Sequence, residues 1–175
     1  MKHALIPLLL ALAGAAHAHI TLEQPEAPAG SGYKAVFRVM HGCDGAATKA
    51  LIVTLPEGLR GAKPMPKPGW TLTLKQRPLK TPDDSHGKTV TEEVAEIRWT
   101  ADGEASQLPD AWYDEFVLRA GLPATPGELW FDVRQVCTQG EWNWAERPTA
   151  DKPRPRAPAV KLTLRPAAAP AGHVH

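Results

Sequence analysis

The chain has 175 residues, 22% of them charged, with 18 prolines, two cysteines and a formal net charge of +1. That length gives one domain with enough material for a hydrophobic core. Near-neutral charge argues against a nucleic-acid partner, which calls for a basic surface. Beyond the N-terminus no apolar run approaches the 18 or more residues of a membrane-spanning helix.

Residues 1–18 read as a secretory signal peptide: a basic start at Lys2, an apolar run from Ala4 to Ala16, and small residues at Ala16 and Ala18. Cleavage after Ala18 makes His19 the first mature residue and removes one of twenty basic residues, leaving charge balanced at nineteen against nineteen. A second motif, Gly14-Ala15-Ala16, would give His17-Ala18-His19 instead. A histidine at the new terminus is a chelator, because its α-amine and Nδ1 close a ring on one metal ion. α-Amines and imidazoles ordinarily titrate at about 7.7–8.0 and about 6.5, so both donate near neutral pH. Planar nitrogen donors favour Cu(II), the tightest binder among the first-row divalent ions.

From His19 onward the chain reads as short β-rich runs separated by Pro, Gly and Asp, with no sustained helical periodicity. Strands are predicted at His19–Glu23, Tyr33–Met40, Thr48–Leu55, Trp70–Lys75, Thr89–Thr100, Trp112–Arg119, Glu128–Thr138 and Ala159–Leu164. Tyr33, Ala35, Phe37 and Val39 alternate with Lys34, Val36, Arg38 and Met40. Leu129, Phe131 and Val133 alternate with Trp130, Asp132 and Arg134. One buried face per strand implies two packed sheets, an all-β sandwich of immunoglobulin or fibronectin type III kind spanning residues 19–165. Lys63–Trp70 is a Pro-rich connection, Arg77–Lys88 a long polar loop, and Pro148–Pro158 a polyproline-like excursion. Residues 166–175 are expected to be a disordered, His-containing tail.

In an exported chain, Cys43 and Cys137 are expected to form a disulfide, tying the loop after the second predicted strand to the seventh. A pair of thiolate copper ligands is the alternative, without a C-x-x-C or Met-rich cluster to support it.

The mature histidines are His19, His41, His86, His173 and His175. His86 lies in the polar Asp83-Asp-Ser-His-Gly87 turn, and His173 and His175 form a terminal H-x-H that either binds metal weakly or is a bystander. His41 sits in Met40-His-Gly-Cys-Asp44, beside the disulfide, so His41 and Asp44 are candidate partners for His19. Their ordinary roles would be an exposed loop residue and the cap of a turn with Gly45. Trp70, Trp99 and Trp112 are expected core fillers. Trp142 and Trp144 point to one side of a strand, where they either cover the sandwich end or shield a metal. No G-x-S-x-G or H-E-x-x-H motif is present. The expectation is a protein without enzymatic activity. A mononuclear copper oxygenase would need a second imidazole, for which His41 is the candidate.

Together, His19-Ile-Thr-Leu-Glu-Gln-Pro25, Gly32-Tyr33, Lys67-Pro-Gly-Trp70, Tyr113-Asp-Glu-Phe116 and Trp142-Asn-Trp144 resemble the YcnI-like copper-binding domains of exported bacterial proteins, from His19 to about Leu164. The resemblance implies a fibronectin-like sandwich binding one Cu(II) through the N-terminal histidine, with a carboxylate ligand and a tryptophan beside the ion. His19 matches the histidine, and Trp144 is assigned as the tryptophan. No glutamate occurs from Asp44 to Leu55, where such relatives place their carboxylate, so Asp44 or His41 takes that position. Many relatives end in a membrane anchor, whereas this sequence ends in Gly-His-Val-His175. The expected protein is a periplasmic or secreted copper carrier, not anchored to the membrane, whose partner is a membrane copper transporter or a periplasmic copper chaperone. A metal-free immunoglobulin-like interaction module is the remaining alternative.

Overall fold

The structure is a computed structural model that describes residues 19–85 and 87–167. The N-terminal segment, His86, His173 and His175 lie outside the described residues. Eleven strands are described: β1 (Thr21–Leu22), β2 (Glu26–Pro28), β3 (Gly32–Val39), β4 (Thr48–Thr54), β5 (Arg60–Pro64), β6 (Trp70–Ser85), β7 (Lys88–Ala101), β8 (Asp114–Gly121), β9 (Gly127–Cys137), β10 (Glu141–Trp144) and β11 (Val160–Arg165). They form two sheets, one ordered β1-β3-β8-β5 and the other β2-β11-β9-β4-β7-β6, with β10 added beside β9. This is the expected two-sheet sandwich.

Alternation in the sequence becomes the core. Tyr33, Ala35, Phe37 and Val39 of β3 and Phe131 and Val133 of β9 all face inward and are buried. Phe37 meets Phe131 edge to face across the sheets, 5.3 Å between centroids. Phe116 of β8 similarly meets Trp70 at 5.1 Å and Trp99 at 5.7 Å. Fully burying side chains of this size contributes roughly 1.5–3 kcal/mol each, so these inter-sheet contacts hold the sandwich closed.

The disulfide is formed between Cys43, in the β3–β4 loop, and Cys137, the last residue of β9, with Cα atoms 5.9 Å apart. Its position is the one expected from the sequence.

Two expectations are corrected. Arg77–Lys88 is not a loop, because β6 and β7 continue as a paired hairpin arm through Ser85 and Lys88. Strand β4 pairs with β7 only from Glu96 to Thr100, so beyond Glu96 the arm has no third strand paired beside it. On the β6 side, Arg77–Ser85 carries Leu79 as its one large apolar residue and is broken by Pro78 and Pro82, which hides the strand from an alternation test. Trp112 is not a core filler: β8 starts at Asp114, and Trp112 is left 66% exposed before it.

Tyr33 is buried at 4% exposure and donates its hydroxyl to the Gln24 carbonyl at 2.5 Å, fastening the β1–β2 connection to β3. Burial first, and then the negative charge of Glu23, push its phenol up from 10.0 to about 12. Because the folded pKa lies above the unfolded one, this contribution is intact below pH 10 and is lost as pH rises toward 12. Over that window stability should fall by about 1.4 kcal/mol per pH unit relative to Tyr33→Phe. Equal alkaline slopes in urea melts of the two proteins would contradict this.

Candidate metal site

One end of the sandwich gathers the start of β1, the β3–β4 loop and the β9–β10 hairpin. The hairpin turns at Gly140, whose φ of 72° suits glycine, and β10 then pairs back on β9 with Trp144 opposite Val133 and Trp142 opposite Gln135. Trp144 is thereby directed into the core, 2% exposed. Trp142 stacks on it with centroids 5.3 Å apart and carries the Arg156 guanidinium over its ring at 4.9 Å.

Both candidate histidines meet this indole. The His19 ring lies edge to face with Trp144, 5.7 Å between centroids and 88° between planes. His41 does the same at 6.0 Å and 75°. His41 Nδ1 lies 2.5 Å from the Gly42 carbonyl. A carbonyl only accepts, so Nδ1 carries the hydrogen and Nε2 of the neutral ring carries the lone pair. Metal-binding histidines are commonly oriented in this way, by a backbone carbonyl on the other nitrogen.

The loop bearing His41 is held from several directions. Gly42 N–H donates to Asp110 Oδ1 at 2.8 Å. A Cβ on Gly42 would stand 1.9 Å from the Ala46 carbonyl oxygen, so only glycine permits this approach. Cys43 and Ala46 exchange backbone hydrogen bonds of 3.0 and 2.9 Å around Asp44-Gly45. Both turn residues have positive φ, 49° and 89°, as a tight hairpin turn of the Asp-Gly kind requires. Asp44 is thus an exposed turn residue, and it lines a shallow cleft with Glu141 and Trp142. The structure brings His19, His41 and Trp144 together and gives Asp44 a place in the turn.

Among the described residues, no three His, Cys, Asp or Glu side chains converge as a metal-holding group. The chelate expected from the sequence differs from such a cage in one respect: one of its donors is a main-chain amine, created only when the Ala18–His19 bond is cut.

Gln135, Thr48 and Asp110 were not singled out from the sequence. Gln135 and Thr48 are fully buried polar residues. Gln135 continues the inward series Phe131 and Val133, and that lone polar residue on an apolar face was the available sign.

Two imidazoles set on a buried indole, at the disulfide-tied end of the sandwich, define an immunoglobulin-like domain with a candidate nitrogen-donor site. The family model described as "Domain of unknown function (DUF1775)" matches residues 19–164. The chain belongs to this family, that of the YcnI-like domains. A crystal structure of an uncharacterized protein from Nocardia farcinica with an immunoglobulin-like fold is 30% identical, covering 86% of this chain and 99% of that one, with a TM-score of 0.65. A non-cellulosomal cohesin from the hyperthermophilic archaeon Archaeoglobus fulgidus is 10% identical over 86% of this chain and 91% of that chain, with a TM-score of 0.39. None of the curated proteins matches the chain.

Proposed function

We propose that this protein is an exported carrier of Cu(II), without enzymatic activity, that takes the ion from or passes it to a membrane transporter or a periplasmic chaperone. The ion is cargo, bound by the α-amine and Nδ1 of His19 after cleavage and by Nε2 of His41, with Trp144 beside it. The observation that carries this reading is the shared packing of His19 and His41 on Trp144. Asp44 is the alternative donor, less favoured because its left-handed backbone is explained by the turn it makes. Export is supported by the formed disulfide, which persists in oxidising compartments. Among the described residues, no helix is long and apolar enough to cross a membrane.

Calorimetric titration of Cu(II) into protein whose first residue is His19 should give one tight equivalent. Absence of binding would overturn the reading and favour a metal-free interaction module. The packing of two imidazoles on one indole also supports the rival reading, a copper oxygenase, which needs a second imidazole. Copper-loaded protein is expected to be inert toward ascorbate and oxygen beyond the free-ion background, whereas sustained peroxide production and substrate oxidation would replace the carrier reading with that activity.

A further inference from the structure

A buried carboxamide in a sandwich core needs an explanation, since an apolar side chain fills such a position without desolvating polar atoms. Gln135 is 0% exposed and faces inward from β9 behind Phe131 and Val133. Its Oε1 accepts from Trp144 Nε1–H at 3.2 Å. Its Nε2 donates to the His41 carbonyl at 2.6 Å and to Thr48 Oγ1 at 2.8 Å. The orientation of the amide is fixed by its partners: an indole N–H only donates and a backbone carbonyl only accepts. Both Nε2 hydrogens therefore have acceptors, and one rotamer change would break all three bonds at once.

The three partners lie on separate elements, β10, the β3–β4 loop and β4, and two of them belong to the candidate copper site. The network also borders the disulfide: Thr48 Oγ1 lies 3.8 Å from Cys137 Sγ, and Cys43 Sγ lies 3.9 Å from the Gln135 carbonyl. Chain connectivity alone leaves Trp144 and His41 independent, since one sits on a hairpin strand and the other on a loop about a hundred residues earlier. The Gln135 side chain is what joins the indole edge to the His41 backbone.

We propose that Gln135 is the positioning residue of the site: its single amide sets the Trp144 indole and the His41 main chain against each other, and so fixes how the His41 ring meets the ion beside His19. This rests on the copper reading above, and it assigns Gln135 no contact with the ion. Removing a partner bonded directly to a ligating side chain typically lowers metal affinity about 10–100-fold; Gln135 acts through the His41 main chain, so the lower end of that range is expected.

The test uses protein beginning at His19, with Cu(II) alone as the probe. Gln135→Met keeps the volume and deletes the three bonds. It should bind Cu(II) at least about tenfold more weakly and change the electron paramagnetic resonance spectrum of the bound ion, while the disulfide and a cooperative melt are retained. A folded Gln135→Met with unaltered affinity and spectrum would overturn the proposal. Gln135→Glu is the second variant: it keeps an acceptor for Trp144, loses the paired donations to His41 and Thr48, and should shift both readouts in the same direction. A measurement on the metal-free, unsubstituted protein stands apart from folding of either variant. The Trp144 indole N–H should exchange with solvent as slowly as the buried amides of β9, and rapid exchange would refute the bond on which the proposal stands. If the unsubstituted protein fails to bind Cu(II), the carrier reading falls, while the exchange result still decides whether Gln135 holds Trp144.

Discussion

One alanine placed ahead of His19 is expected to abolish tight Cu(II) binding and leave the fold untouched. The extension turns the His19 amine into a peptide nitrogen, which opens the five-atom reach between amine and Nδ1 that makes the residue a chelator. Donors linked on one scaffold gain about 10²–10⁴ in affinity over unlinked ones when geometry lets both engage, and a loss of that order is the expected result. The fold should not respond, because β1 starts only at Thr21 and the core contacts of this segment begin at Ile20 and Leu22. Calorimetry of the extended and native-ended proteins side by side checks this, and equal affinities would remove the amine from the site. Cleavage after Ala16 produces a related case with His17 first, so mass determination of the exported N-terminus must accompany the titration.

The second large effect concerns the disulfide. Cys43 and Cys137 are separated by 94 residues, for which the chain-entropy model gives about 4–5 kcal/mol. For a domain of this size, that is a fall in melting temperature of about 10–15 °C. The paired replacement Cys43→Ala with Cys137→Ala is the proper comparison, since it leaves no free thiol. Copper affinity should fall with it, because Cys43 follows His41 by two residues and Cys137 borders the Thr48–Gln135 bonds. A melting temperature lowered by only a few degrees would show that the denatured chain is already restricted in that loop.

Strands that bury one face against the opposite sheet, such as β3 and β9, announce themselves by alternation, and the cysteine pair follows from chemistry and compartment. Three strands escape for distinct reasons. β2 is only three residues long, β5 contains Gly61 and Pro64 and pairs irregularly with β8, and β10 was visible only as a tryptophan pair. The outer part of β6 escapes because Pro78, Pro82 and a run of polar residues leave no alternation to read, whereas its partner β7 was expected over Thr89–Thr100. Trp112 illustrates the opposite error, an aromatic residue assigned to the core on composition although it lies in the turn before β8 and is left exposed.

At the site, His19, His41 and Trp144 were each legible, yet their convergence depends on the pairing of β1 with β3 and on the pairing of β4 with β9, which sets the β3–β4 loop beside a hairpin remote in sequence. Gln135 and Asp110 hydrogen-bond the loop backbone and Thr48 accepts from Gln135; of the three, only Gln135 leaves a sign in the linear sequence, as a polar residue on an apolar face, and that sign does not reveal its partners. The choice between His41 and Asp44 likewise turned on backbone conformation: a left-handed Asp-Gly turn gives Asp44 a structural task, whereas His41 is tied at Nδ1 in the manner of a ligand.

The most direct test of the central claim is the nitrogen pattern in the electron paramagnetic resonance spectrum of protein that begins at His19 and carries one equivalent of Cu(II). Coupling to the His19 amine, the His19 ring and the His41 ring is predicted, with one nitrogen lost in His41→Ala, a substitution that spares the backbone carbonyl bonded to Gln135. An identical nitrogen pattern in His41→Ala, or the spectrum of a hydrated ion in the unsubstituted protein, would contradict the account.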